Sequence, residues 1–164
     1  MKGDRGGFRM LRHEQLLQEK VHDAYKAKRK PRGVSRCPDC GAVYRRGRWV
    51  WALAPGHAAP LRCPACHRIR EHLPAGYVSL SGSFFAAHRE EILARVRQCE
   101  ADEKAEHPLQ RIIKIEEDER GSTVTTTDPH LARRVGEALR AAFKGEITYR
   151  YGRDQQLLRV RWSR

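Results

Sequence analysis

No apolar run in this chain approaches the ~18 residues that a membrane-spanning helix requires. Met1 to Met10 hold no apolar core, so no secretory leader is expected there and a cytosolic (cytoplasmic) protein is the default expectation. Several enzyme signatures are missing too. There is no G-x-x-x-x-G-K-[ST] loop to cradle nucleotide phosphates, no G-x-S-x-G nucleophile elbow and no H-E-x-x-H metalloprotease helix. No acid/base pair stands at a telling spacing, so the sequence makes no positive case for an enzyme or for a small-molecule substrate. Acidic residues are in short supply. The 20 Asp and Glu against 33 Lys and Arg leave a formal charge of +13. That balance favours polyanions such as nucleic acid or the ribosome, and no membrane partner is expected.

Against these absences stands one dense motif. Cys37-Pro38-Asp39-Cys40-Gly41 and Cys63-Pro64-Ala65-Cys66 place two Cys-x-x-Cys pairs within a short stretch. Each two-residue spacer turns both sulfurs toward one point, and four thiolates are a tetrahedral ligand set for zinc. Gly41 falls where such a turn calls for positive φ, which a residue without Cβ adopts freely. Two disulfides are the competing reading, disfavoured in a reducing compartment. A thioredoxin-like role would need one pair in a βαβ context. One structural Zn²⁺ on Cys37, Cys40, Cys63 and Cys66 is therefore expected, and its closed shell leaves no open position for catalysis. His57 and His67 are alternative ligands that four well-spaced cysteines make unnecessary.

The chain divides into three expected parts. Residues 1–33 form a basic arm, partly disordered. Met1 to Met10 are glycine-rich, Leu11, Leu16, Leu17 and Val21 mark a short amphipathic helix, and Lys26 to Arg32 are a basic run containing Lys28, Arg29 and Lys30. The run reads either as a solvated tail or as a phosphate contact. Residues 34–76 form the zinc ribbon. Val43-Tyr44 and Trp49-Val50-Trp51 have strand propensity, and Arg46-Gly47 between them suits a hairpin turn. Arg45, Arg46 and Arg48 crowd its tip, while Arg62, Arg68 and Arg70 flank the second cysteine pair. Strand alternation puts Trp49 and Trp51 on one face, as core or as base-stacking residues. Leu53 to Pro60 reads as loop.

Residues 77–164 are expected to be an α+β domain. Tyr77 to Leu80 make a short strand, with helix N-cap candidates in Ser81-Gly82-Ser83. One long helix over Phe84 to Glu106 buries Phe85, Ile92, Val96 and Cys99 at helical spacing, Cys99 acting as a small hydrophobe. A strand over Gln110 to Glu116 puts Arg111, Ile113 and Ile115 on one side, with Ile112 and Lys114 on the other. Thr123 to Thr127 are the next strand. Asp128 caps a helix that begins with Pro129 and ends at Gly145, its apolar face formed by Leu131, Val135, Ala138, Leu139, Ala142 and Phe143. Arg133, Arg140 and Lys144 lie on its other side. Two strands follow, Ile147-Tyr149-Tyr151 and Leu158-Val160-Trp162, joined by a turn at Gly152-Arg153-Asp154. The prediction is an antiparallel sheet with two helices on one face. The opposite face gathers Lys114, Thr123, Thr125, Arg150, Arg159 and Arg161. It is either the wet side of a sheet or a track for phosphates.

Several stretches carry a resemblance. These are Cys37-Pro38-x-Cys40-Gly41-Ala42-Val43-Tyr44 with Gly47-Arg48-Trp49, Cys63-Pro64-Ala65-Cys66-x-Arg68-Ile69-Arg70, and Pro74-Ala75-Gly76-Tyr77-Val78. They continue with Glu106-His107-Pro108-Leu109-x-Arg111-Ile112 and Thr125 through Leu139. Together they resemble a family of small bacterial zinc-ribbon proteins of about this length. Some members carry an ATPase label, which the absent phosphate loop does not support. A looser similarity is to the N-terminal part of the archaeal and eukaryotic large-ribosomal-subunit export adaptor of the nonsense-mediated-decay-three type. Its fuller set of cysteine pairs is absent here, so one zinc is implied. This similarity implies ribosome or ribosomal RNA as partner, at the level of fold.

The expectation is thus a zinc-binding, RNA-binding, ribosome-associated protein. Its contacts would come from Lys28, Arg29, Lys30, Arg45, Arg46, Arg48, Arg68, Arg70, Lys114, Arg133, Arg150, Arg159 and Arg161. The alternatives are a zinc-ribbon DNA-binding regulator, an enzyme on RNA or nucleotides using histidines such as His88 and His130, and a protein–protein adaptor.

Overall fold

The computed structural model describes residues 30–152 and 157–164. The expectations for the arm before Lys30, including its helix and the contacts at Lys28 and Arg29, lie outside the described residues, as does the turn at Arg153-Asp154.

Two sheets are formed. The first is small, with strand order β3-β2-β1-β4. Strand β2 (Val43–Arg45) and strand β3 (Arg48–Val50) make the expected hairpin. Arg46 at φ 50° and Gly47 at φ 85° supply the two positive φ values of a type I′ turn, whose twist matches that of the strands. Strand β1 (Ser35–Arg36) pairs antiparallel with β2 and parallel with β4 (Ala59–Pro60). The stretch expected to be loop therefore ends in a short strand. Its proline is tolerated because β4 is an edge. Helix α1 (Pro64–Glu71) follows immediately, an element not expected from the sequence.

The second sheet has five strands in the order β6-β7-β5-β9-β8. Strand β5 (Gly76–Ser81) is central, flanked by β7 (Gly121–Thr126) and β9 (Leu158–Ser163), with β6 (Ile112–Asp118) and β8 (Glu146–Tyr151) at the edges. Every pairing is antiparallel except β5 with β9, which is parallel. The sheet is accordingly mixed, a correction to the antiparallel expectation. β7 occupies one edge of β5, and β9, returning from its hairpin with β8, fills the other in the direction that hairpin dictates.

Helix α3 (Arg89–Glu106) and helix α4 (Pro129–Phe143) cover one face of this sheet. The single long helix expected from Phe84 is two. The short α2 (Ser83–Ala87) ends at His88, whose φ of −123° leaves the helical region before α3 begins. Gly82 precedes α2 with no side-chain cap. The carbonyl of Arg164 instead accepts hydrogen bonds from Phe84 N and Phe85 N. The core contains Val78, Leu80, Val124, Val160 and Trp162 from the strands, with Phe85, Ile92, Val96, Leu131, Val135 and Leu139 from the helices. Cys99 lies in it as expected, and burial pushes its thiol up to about 11, which keeps it protonated and inert at neutral pH. Ala142, placed on the apolar face of α4 from sequence, is exposed near the helix end.

One register detail overturns an alternation. β6 shifts against β7 between Ile112 and Lys114, so Ile113 is the extra residue of a bulge. Ile112 and Ile115, expected on opposite sides, both pack on the core.

Asp128 caps α4 as read from the sequence, its Oδ1 accepting from His130 N at 2.7 Å with Pro129 at the first helical position. Gly145 follows the helix at φ 88°. Asp128→Ala is expected to lower unfolding free energy by about 1 kcal/mol, with Asp128→Asn keeping most of it. Urea denaturation of the three proteins, read as a midpoint shift at constant slope, checks this.

Candidate metal centre and basic surfaces

The four cysteines arrive at one point by two different local devices. The first pair sits in a turn closed by Gly41 N donating to the Cys37 carbonyl at 2.9 Å and Cys37 N donating to the Ala42 carbonyl at 2.8 Å. Gly41 has the expected positive φ, 79°. The second pair straddles a helix start. Cys63 is the N-cap of α1 and its sulfur accepts from Cys66 N, with Pro64 inside the first turn. Both sulfurs of this pair therefore sit at the positive end of a helix, where thiolates are favoured. The two halves are tied across by Arg62 Nε donating to Asp39. That bond, with the charge of Arg62, holds the Asp39 carboxyl below its usual range.

All four Sγ atoms lie within 4.8 Å of one another and none is in a disulfide. A tetrahedron with metal–sulfur bonds of ~2.3 Å has sulfur–sulfur edges of roughly 3.8 Å. The Cys40–Cys63 separation is 3.8 Å, so a metal ion fits. Three of the sulfurs are buried. Burial raises the Cys63 and Cys66 thiols, and the neighbouring thiolates add to this. At Cys37 burial also opposes charge, but backbone hydrogen bonds at Cys63, Cys40 and Asp39 outweigh it and bring the value down to about 7. Four crowded sulfurs that resist becoming four thiolates together are the environment a dication relieves. Among the described residues no histidine joins the group: His57 is exposed, and His67 Nδ1 faces Glu71 Oε1 at 3.8 Å.

The residue the sequence reading missed is Arg111. Its Nη2 donates to Cys63 Sγ at 3.2 Å and to Cys66 Sγ at 3.3 Å, and it is buried. The backbone of Arg111 is fixed from the other sheet. Its N–H donates to Thr127 Oγ1 at 2.9 Å and its carbonyl accepts from Thr127 N at 2.9 Å. Leu109 packs on the cysteine cluster beside it. The signal was an arginine among isoleucines shortly after Pro108, but strand alternation only grouped it with Ile113 and Ile115.

The tryptophans do not share a face, because β3 ends at Val50. Trp49 packs on the cysteine cluster, edge-on to Tyr44 with ring centroids 5.5 Å apart. Trp51 lies beyond the strand and donates from Nε1 to the Lys104 carbonyl of α3 at 2.6 Å. Both thus have structural partners.

The expected basic contacts separate into groups. Arg45, Arg46 and Arg48 are exposed at the hairpin tip and, with Lys30, line an open cleft of about 860 Å³ floored by Tyr44, Val34 and Val50. Arg70 is exposed on the last turn of α1. Lys114, Arg150, Arg159 and Arg161 are exposed on the sheet face opposite the helices, Lys114 paired with Glu116 at 2.6 Å. Two expectations are corrected. Arg68 is buried and donates from Nη1 to the Leu73 carbonyl at 3.0 Å, closing the end of α1. Arg133 is buried and donates from Nε to Glu137 at 2.9 Å. Arg68 is held inward by a carbonyl just past its own helix and Arg133 by a carboxylate one turn on, rather than offered to solvent.

Comparisons with protein-family models, with curated proteins and with solved structures give no match to this chain. Among the described residues no helix is long and apolar enough to cross a membrane.

A partner that hydrogen-bonds a metal ligand shapes the metal's affinity. Arg111→Gln is therefore expected to weaken metal binding by about 10- to 100-fold. Titration of the reduced protein with Co²⁺, followed through its thiolate charge-transfer absorption under chelator competition, measures it.

Proposed function

We propose that the protein is a zinc-ribbon RNA-binding protein, with one structural Zn²⁺ on Cys37, Cys40, Cys63 and Cys66 and a basic hairpin that grips phosphate. Zinc is the natural occupant of four thiolates in a tetrahedron. The closed ligand set supports a binding role rather than a catalytic one. The observation that carries the nucleic-acid reading is the register of β2 and β3: Arg45 lies directly opposite Arg48, with Arg46 in the turn beside them. Like charges directly opposed destabilise a strand pair. With all three exposed and Lys30 lining the same cleft, the arrangement costs stability until an anion lies among them. The chain's +13 charge supplies long-range attraction to the same class of partner. Ribosomal RNA is the polyanion favoured by the motif resemblance given above.

Metal analysis of protein purified without chelators is expected to give one zinc per chain, and Cys63→Ser to lose it along with the small sheet. A stoichiometry well below one would sink the zinc reading. RNA affinity is expected to fall steeply with salt, and Arg45→Ala with Arg48→Ala to reduce the slope of log affinity against log salt by about two. Binding isotherms on structured RNA and on duplex DNA, with gradient sedimentation of a lysate, test this. Absence from ribosomal fractions at low salt together with no RNA binding would refute it, and stronger binding to duplex DNA would reassign the partner.

A further inference from the structure

The large sheet ends in two edges that are built differently. At β6 the bulge at Ile113 breaks the register, and acids crowd the far end at Glu116, Glu117 and Asp118. Bulges and massed charge are devices that blunt an edge against pairing with another chain. β8 has neither. Its register with β9 is unbroken over Glu146–Tyr151, it holds no proline, and its charges are one acid, Glu146, and one base, Arg150. Among the described residues no strand lies on its outer side. The ladder also tells which backbone groups face outward. Gly152 N donates to the Leu157 carbonyl at 3.2 Å, and this pair continues the β8–β9 register. Hydrogen-bonded and non-hydrogen-bonded pairs alternate along an antiparallel ladder, so Glu146, Thr148 and Arg150 turn their N–H and C=O groups toward β9. Ile147 and Tyr149 turn theirs to the open edge. The side chains of these two are half-buried on the margin of the core, while Glu146, Thr148 and Arg150 are exposed on the opposite face.

The strand is complementary to itself. Laid antiparallel against a second copy about a two-fold axis at Thr148, it sets Glu146 opposite the second copy's Arg150, and Arg150 opposite its Glu146. Ile147 then meets Tyr149, and Thr148 meets Thr148. Opposite charges, an aromatic with a β-branched residue, and threonine with threonine are the cross-strand pairs that stabilise a sheet. The register is specific. A slip of one residue puts the two faces out of step. A slip of two sets either Arg150 or Glu146 against Thr148, and a slip of four sets Arg150 on Arg150 or Glu146 on Glu146. Only the axis at Thr148 matches both charges. We infer that β8 pairs with β8 of a second copy of this chain, joining the two large sheets edge to edge. The same strand serves on both sides, so the assembly closes as a dimer. It covers the outward backbone of Ile147 and Tyr149 together with the apolar surface these side chains leave in water. The inference is independent of the RNA-binding reading.

The test follows the full chain, treated with nuclease, by sedimentation velocity over a concentration series. Wild type is expected to pass from monomer to dimer as concentration rises. Arg150→Glu opposes acid to acid at two places in the dimer, and Glu146→Arg opposes cation to cation. Each variant alone is expected to dimerise about tenfold more weakly or worse. Mixed in equal amounts the two are expected to recover the dimer, because each cross-copy pair is again of opposite sign. That recovery needs two folded edges, so it separates lost pairing from lost folding. Thr148→Cys gives a reading with no charge change. Its pair is of the non-hydrogen-bonded kind, with Cα atoms about 4.5 Å apart, within the reach of a disulfide. Mild oxidation is expected to give a covalent dimer that wild type does not form. A wild type that stays monomeric throughout would overturn the inference. So would a dimer that both charge variants leave intact, a mixture that does not recover, or Thr148→Cys that crosslinks no more than wild type. A dimer seen only before nuclease treatment would overturn it in favour of copies bridged by nucleic acid.

Discussion

A guanidinium buried against two cysteine sulfurs joins the two halves of this protein. Arg111 belongs by its backbone to the large sheet and by its side chain to the cysteine cluster. Burying an arginine is costly unless its charge is met, and here the sulfurs meet it. The reverse also holds. A dication held by the four cysteines as thiolates would carry a net double negative charge, and the guanidinium would offset part of it within the same buried volume. The cysteine cluster and the large sheet are thus joined through this one side chain. Trp51 on the Lys104 carbonyl, and Leu109 on the cluster, add packing to that electrostatic tie.

Much of this arrangement was legible in the sequence where the signal was local. The cysteine spacing, the Arg46-Gly47 turn, the Asp128-Pro129 helix start and the alternation of Leu158, Val160 and Trp162 are each set by neighbours a few residues away. Their physics acts at that range. Two of the failures come from longer-range structure, and the others from local contacts that residue type alone does not announce. A bulge at Ile113 reverses the side on which later residues of β6 fall, and no property of an isoleucine announces it. The parallel pairing of β5 with β9 is a consequence of which edge was left open. Helix α1 was hidden because its cap is a cysteine, a residue read first as a ligand. Arg68 and Arg133 looked like surface charges until helix geometry placed a carbonyl and a carboxylate within their reach.

Two pairs of the arginines that remain outside share one pattern. Arg45 with Arg48, and Arg150 with Arg159, are opposed across antiparallel strands, on two separate sheets. A surface selected for solubility alone would intersperse signs, since mixed charges keep a protein dissolved without local repulsion. Instead the acids gather elsewhere, as on α3 and on the β6–β7 turn with Glu117, Asp118 and Glu119. The protein therefore presents polarised rather than averaged electrostatics, and its basic parts sit on strands whose geometry is rigid.

The order of strands in the large sheet has a kinetic consequence. The hairpins β6–β7 and β8–β9 join neighbours in sequence and can close quickly, but the central strand β5 is neighbour to neither of its partners along the chain. Its pairing with β9 closes a loop that includes both long helices and the other three strands of that sheet. Loop closure of that length must precede the contacts that reward it, which slows folding. Until β9 docks, β5 has a hydrogen-bonding edge exposed, along with Val78 and Leu80. Such an intermediate is prone to pair with another chain. Refolding yield should thus be limited by concentration more than by closure of the cysteine cluster, with the small sheet assembling beside a large sheet that is the slower of the two to form.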